Sequence, residues 1–392
     1  MQISPLFFNI FGIDPEKLIM ATTRITLLFA LLLLSSSLMA QSTKYHLLIG
    51  TYTSPGKSEG IYVYEFDSQN GSMTYKSKAI IESPSYFALT KDRKFVYAVT
   101  EGRGSKISSF AFDAKSGELN YLNSQPSGSN GPTYISVDAK GKYVFAANYG
   151  GGSLTALPVE QDGTLGADIQ DIKHEGSSIA RKKPFVHSAI VSPDNKFVLT
   201  ADLGTDKIDI YRFRAKSRPQ ALSVAAQPFV ILDPGAGPRH LTFHPSKKFL
   251  YSVTEINSKV YAFKYKKGHL SQIQAISMVP EGFNGPGHGA DIHVSADGKF
   301  LYASTRSTLN EIAIYSIDQK TGMLNLIGRQ PSFGRSSRTF EIDPSGKWLL
   351  STGQASNEII VFKRDKETGK LSPIGEKLQI DKPSLVKFVP ID

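Results

Sequence analysis

The chain contains no cysteine. That excludes a disulfide framework, a thiolate nucleophile and a thiolate zinc site, so any chemistry rests on oxygen and nitrogen groups. Tryptophan occurs once, and only 20% of the 392 residues are charged, against 33 glycines and 21 prolines. Disorder and coiled coil are both disfavoured by this balance, which suits many short strands joined by tight turns. Long apolar runs are scarce as well. Residues 25–40 form one, preceded by Arg24 and ending Ser37-Leu38-Met39-Ala40-Gln41. It is too short for a comfortable membrane span and has the pattern of a signal peptide, with cleavage expected near Ala40. Residues 1–19 read as an upstream extension, because Met20 would begin a leader of ordinary length. No second apolar run follows, so the mature chain is expected to be exported, periplasmic or secreted, without stable membrane insertion.

Charge of one sign is in excess, at +10. Nucleic acid is not the expected partner, because the lysines recur singly in turns such as residues 138–142 and 297–299, with no recognition helix or stacking motif beside them. A lysine-rich solvated exterior accounts for them.

What is present is a repeat. A turn anchor at Pro84, Pro132, Val186, Pro238, Gly289 and Ser337 is followed, always eleven positions later, by Phe95, Tyr143, Phe197, Phe249, Phe300 and Trp348. Successive anchors lie 48 to 54 residues apart, the length of a four-stranded propeller blade with its loops. Inside each unit a β-branched and aromatic strand such as Ile312-Ala313-Ile314-Tyr315 precedes a hairpin turn such as residues 113–117, 318–322 and 365–369. The two ends complete one another: residues 45–80 supply three strands of a unit, and the tail Lys382-Pro383-Ser384-Leu385-Val386-Lys387-Phe388 resembles the missing first strand. The expected fold is therefore all-β, a seven-bladed β-propeller over residues 41–392, closed by a composite blade that removes exposed edges.

In such a fold the first strand of each blade lines the central channel, and its start and the end of the second strand emerge at one face. The residue after each anchor is Ser384, Ser85, Thr133, His187, Arg239, Ala290 or Arg338. Six positions beyond the blade aromatic stand Thr51, Glu101, Tyr149, Leu203, Glu255, Arg306 and Gln354, with Tyr45 taken as the aromatic of the composite blade. Ionisable groups concentrate in these two rings. Arg239 and Glu255 should be direct cross-strand neighbours, which taken alone describes an ordinary ion pair holding the rim. With His187 one blade earlier, the set becomes an imidazole and a carboxylate facing one cavity among three guanidinium groups, an acid/base site for an anionic substrate.

Weaker signals are set aside. Gly56-Lys57-Ser58-Glu59-Gly60 matches a serine-hydrolase elbow in letters, but that motif needs a strand-to-helix turn and this segment joins two strands. His288 and His293, five apart along a strand, point to opposite faces and suit rim or core packing rather than a metal. Asp202 and Asp206 lack the ligand count of a calcium loop and read as channel-wall residues capping their turn. Gly150-Gly151-Gly152 is followed by no helix and is not a phosphate loop.

At Gly50-Thr51-Tyr52-Thr53, Ala147-Asn148-Tyr149-Gly150, His187-Ser188, Asp202-Leu203-Gly204-Thr205-Asp206, Gly237-Pro238-Arg239-His240, Glu255, Arg306 and Ile342-Asp343-Pro344-Ser345-Gly346-Lys347 the chain resembles the lactonase family of seven-bladed propellers. That family includes bacterial propeller-type 6-phosphogluconolactonases and a fungal carboxymuconate-lactonizing enzyme. The resemblance covers essentially all of the mature chain. It departs at Phe185, where relatives often carry a second histidine, and at Thr305-Arg306-Ser307, which replaces Asn-Arg-Gly. It implies that His187, Arg239, Glu255 and Arg306 act on a lactone; the two rings offer Arg338, Glu101, Tyr149 and Gln354 as further substrate contacts, and Asp202 is counted with them. The expected activity is hydrolysis of a small anionic sugar-acid lactone by a monomer, without metal or cofactor, His187 or Glu255 being the base. The competing readings are a non-catalytic propeller that binds a carbohydrate or protein at the same mouth, and a lactonizing enzyme or lyase using the same groups.

Overall fold

The computed structural model describes residues 43–391 apart from Arg103; the expected leader lies outside the described residues. Among the described residues, twenty-eight strands form seven four-stranded antiparallel sheets. Six sheets follow chain order, as blades one to six. In the seventh, the strand Pro383–Pro390 pairs with Lys44–Thr51, which continues into Gly60–Asp67 and Met73–Ile80. The composite blade expected from the two chain ends is therefore present.

The seven innermost strands are Phe87–Leu89, Pro132–Val137, Val186–Val191, Pro238–Phe243, Gly289–Val294, Ser337–Ile342 and Pro383–Pro390. Each packs beside the next around the channel, and Ser384 Oγ closes the ring on Ser85 O at 3.0 Å. The second strands, Tyr143–Asn148, Phe197–Asp202, Phe249–Thr254, Phe300–Thr305 and Trp348–Gly353, are buried at every residue. They are sandwiched between neighbouring blades, which is why they read as continuous apolar runs rather than alternating ones. The outer strand Leu119–Pro126, by contrast, contains no fully buried residue and mixes polar with apolar side chains.

The repeated aromatic has a specific seat. Phe95, Phe197, Phe249 and Phe300 lie against Gly163, Gly268, Gly322 and Gly369, the hairpin glycines of the following blade. Each glycine has a positive φ of 72° to 85°, and a Cβ there would stand 2.1 to 2.4 Å from the ring. Glycine is required twice over, by backbone and by contact. Gly322→Ala is expected to cost about 2–4 kcal/mol, combining the left-handed strain of an L side chain with overpacking. Chemical denaturation of the variant checks this, and a loss under about 0.5 kcal/mol, typical of an ordinary surface site, would contradict it.

The composite blade corrects one register assignment. Its anchor and its aromatic come from opposite ends of the chain, so no interval in the sequence fixes their spacing. Tyr45 was expected to be its aromatic, yet His46 occupies that position, against Gly117 of blade one. Tyr52, not Thr51, consequently stands at the end of the second strand. Its N–H donates to Lys382 O at 3.0 Å, just as the N–H of Glu255 donates to Gly237 O at 2.8 Å.

Candidate active site

The pairing of first and second strands breaks at the residue after the anchor in most blades. Pro132 and Tyr134, Val186 and Ser188, and Pro238 and His240 pair with consecutive residues of the second strand, skipping Thr133, His187 and Arg239. Ser384 is skipped likewise, and blades five and six skip two residues each. These are β-bulges, which re-aim the extra side chain. In a regular strand Arg239 and His240 would face opposite ways. Here both face the channel, with Arg239 Nη1 3.3 Å from His240 Nε2. Arg239 and Glu255 are therefore not ladder partners, as the register had suggested. They meet through the bulge, Nε donating to Oε2 at 3.1 Å.

At the mouth the two rings enclose a cavity of about 200 Å³ lined by Glu101, Thr133, Tyr149, His187, Glu255, Arg306 and Arg338. Six of the nine side chains selected from sequence are in that lining. Glu255 Oε2 also accepts from Arg306 Nη2 at 2.5 Å, so one carboxylate oxygen is held by two guanidinium groups. Burial raises the Glu255 pKa, but Arg306, Arg239 and Arg338 outweigh it and hold the group below the usual carboxylate range. Glu101 Oε2 accepts from Ser85 Oγ and from Tyr52 OH. Arg338 lies over the Tyr52 ring at 5.3 Å and 3.8 Å from Glu101. Tyr52 is thus a member of the site that sequence reasoning missed through the one-residue slip in the composite blade.

His187 packs edge-on against Tyr149 at 5.4 Å and His240 at 5.3 Å. Burial, then the fields of Arg239 and its cationic neighbours, push its pKa well below the ordinary imidazole value, so the ring is neutral at pH 7. Its buried Nδ1 has no hydrogen-bond partner among the described residues. An orphaned buried N–H is rarer than an orphaned acceptor, which favours the tautomer with the proton on Nε2.

Three selected residues are placed elsewhere. Arg239 does not line the cavity: it is 1% exposed and holds Glu255 from beneath. Burial and the two other arginines lower its pKa to about 9, which leaves it protonated at neutral pH. Asp202 was expected to contact substrate but is fully buried between blades two and three. Its Oδ1 accepts from the N–H of Phe185 and Gly204, and its Oδ2 bonds His174 Nδ1 at 2.9 Å. His174 Nε2 meets Tyr211 OH at 2.9 Å, so both ring nitrogens of this His174, Asp202 and Asp209 cluster are engaged within the wall. Asp206 similarly accepts from the N–H of Gly235 and Gly237. Gln354 stands in the expected ring, its N–H on Ser336 O at 3.2 Å, but is not among the lining residues. His288 lies at the rim and bonds Ser307 at 2.6 Å, whereas His293 faces the channel and bonds Asp291 at 3.0 Å.

Comparison with known proteins matches residues 46–388 to the family described as lactonase, 7-bladed beta-propeller. The chain belongs to that lactonase family. Among curated relatives, the 6-phosphogluconolactonase of Bacillus subtilis (strain 168) is 33% identical over 354 residues, covering 88% of this chain and 99% of the relative. The 6-phosphogluconolactonase of Formosa agariphila is 33% identical over 322 residues, covering 79% and 90%. Among solved structures, the periplasmic gluconolactonase of Pseudomonas aeruginosa superposes with a TM-score of 0.86 at 33% identity, covering 89% of this chain and all of that one. The family match thus spans nearly all of the propeller, from the second strand of the composite blade into its closing strand.

Proposed function

We propose that the chain hydrolyses the lactone of a polyhydroxy sugar acid to its open hydroxy acid at this mouth, with Glu255 as the base. The observation that carries the reading is the doubly bridged Glu255 in a small polar cavity of a lactonase-family propeller. Water attacks the lactone carbonyl carbon while Glu255 takes its proton, and the carbonyl π pair moves to oxygen as an oxyanion. The oxyanion then collapses, the ring C–O bond breaks, and the departing alkoxide takes the proton from Glu255.

The choice of Glu255 over His187 follows from charge. As Glu255 is neutralised, an oxyanion of the same charge appears within the same guanidinium field, so electrostatic stabilisation is transferred rather than lost. A proton on His187 would instead place a fourth positive charge among Arg239, Arg306 and Arg338. Neutral His187, with Nε2–H towards the cavity, acts as a donor to the oxyanion beside Arg306 and Arg338.

Charge also bears on the substrate. Three guanidinium groups stand with two carboxylates and a neutral imidazole, leaving one positive charge uncompensated. Proton transfer from water to Glu255 leaves that balance unchanged as the oxyanion forms, and Glu101 and Glu255 are apt acceptors for the hydroxyl groups of a sugar lactone. A phosphorylated lactone would bring about two further negative charges beside those carboxylates. Beside those carboxylates an uncharged sugar lactone is the substrate favoured here over the anionic one expected from sequence, a phosphorylated lactone being what the names of the two 6-phosphogluconolactonase relatives specify for them. Base titration at constant pH, corrected for spontaneous opening, tests both points: glucono-δ-lactone is expected to exceed its 6-phospho form in kcat/KM by at least about tenfold, a difference of about 1.4 kcal/mol. A preference for the phosphorylated form would overturn the substrate assignment, and turnover of neither would overturn the activity.

The leader pattern at residues 24–41, together with the periplasmic location named for the Pseudomonas aeruginosa relative, supports export of this chain. An uncharged sugar lactone is a substrate that such a compartment can supply without a cytosolic kinase.

A further inference from the structure

Arg239, which holds Glu255 from beneath, is itself held by groups deeper in the channel. Its Nη1 donates to Ala290 O at 2.5 Å and lies 3.3 Å from His240 Nε2. Since Arg239 is only a donor, His240 must offer a lone pair at Nε2 and carry its proton on Nδ1. Asp291 Oδ1 stands 2.7 Å from that Nδ1. Burial and Arg239 lower the His240 pKa to about 4 against the pull of Asp291, so the ring is neutral. Asp291 is fixed in turn, its Oδ2 accepting from His293 Nε2 at 3.0 Å and from the N–H of Phe340 at 3.1 Å. His293 Nδ1 lies 3.6 Å from Glu341, and Lys387 Nζ donates to Glu341 at 2.5 Å.

The chain of contacts crosses blades four, five, six and seven. Buried ion pairs of this kind add little to folding stability compared with apolar residues of similar volume, so ring closure alone does not call for them. What the arrangement does supply is orientation. A guanidinium can swing about its long stem, whereas one bonded to a carbonyl, an imidazole of fixed tautomer and a carboxylate cannot.

We propose that His240 and Asp291 are positioning residues of this site: Asp291 fixes His240 in the tautomer that accepts from Arg239, and Arg239 so held presents its Nε–H to Glu255. The inference rests on Glu255 acting as proposed above. The other titratable groups that face the pair are His187, Tyr86, Tyr134 and Arg338 around His240, and Arg306, Arg338, His288 and Tyr149 around Glu255.

The test compares His240→Phe, which keeps a ring but no acceptor, with His240→Gln, which restores an acceptor oxygen near the position of Nε2. For H240F, kcat is expected to fall about a hundredfold, the effect of displacing a reacting group by about 1 Å, while KM changes less than about twofold. The acid limb of its kcat/KM profile should move to higher pH, because a loosened Arg239 depresses the Glu255 pKa less. H240Q should recover most of both changes. Wild-type kcat in H240F, or equal losses in both variants with an unmoved acid limb, would show a packing role only and overturn the proposal. Should H240F not fold, the isosteric Asp291→Asn carries the test: lower kcat with the same upward shift supports it, and wild-type kinetics refute it. A wild-type protein inactive on every lactone would instead refute the activity itself, so the two failures are distinct.

Discussion

Glu255→Gln is expected to lower kcat for an uncharged sugar δ-lactone by about a hundredfold to ten-thousandfold, the usual range for removing a general base. Glutamine keeps an oxygen for Arg239 and Arg306, so the variant is expected to fold while losing the ability to take a proton from water. The pH profile carries the same information in the wild type. Glu255 is held below the usual carboxylate range and His187 well below 6.5. Both are therefore deprotonated throughout the neutral region, and activity should be flat there, falling in acid as pH drops through the depressed values. A limb centred near 6.5 would instead mark an imidazole of ordinary pKa as the base. Full activity in E255Q would remove Glu255 from the reaction altogether.

Deleting residues 381–392 is expected to abolish cooperative folding. The strand Pro383–Pro390 buries Leu385, Val386 and Val389 almost completely, and each buried aliphatic side chain contributes about 1.5–3 kcal/mol. Together they approach the net stability of a typical domain, about 5–15 kcal/mol. The same cut removes the Ser384 contacts with Ser85 and Thr339 and the Lys387 pair with Glu341. It also leaves the strand Lys44–Thr51 as an open edge. Thermal unfolding followed by circular dichroism decides the matter. An unchanged midpoint would mean that the ring does not depend on its composite blade.

The architecture was legible because six blades share an anchor with an aromatic eleven residues on, and most hairpins carry a glycine that receives the ring of the blade before. His187, Glu255, Arg306, Arg338, Glu101 and Tyr149 could be gathered from that register, since it fixes height along the channel. Register does not fix what a side chain finds at that height. Asp202 stands at the level of the mouth but turns to His174, a residue of another blade that no period connects to it. Gln354 keeps the backbone contact of its ring without lining the cavity. His240 and Asp291 escaped notice for the opposite reason. Strand alternation assigns the neighbour of an inward residue to the far face, and the bulges at the strand starts suspend that rule. Tyr52 was lost because the two parts of the composite blade are joined only in space.

The most direct test of the account is a crystal structure of the protein with an unreactive lactam analogue of the sugar lactone. The ring carbonyl is predicted to lie within hydrogen-bond distance of His187 Nε2 and of Arg306 or Arg338, with Glu255 on the side from which water attacks. A lactam seated on the outer surface or at the opposite end of the channel, away from these side chains, would contradict it.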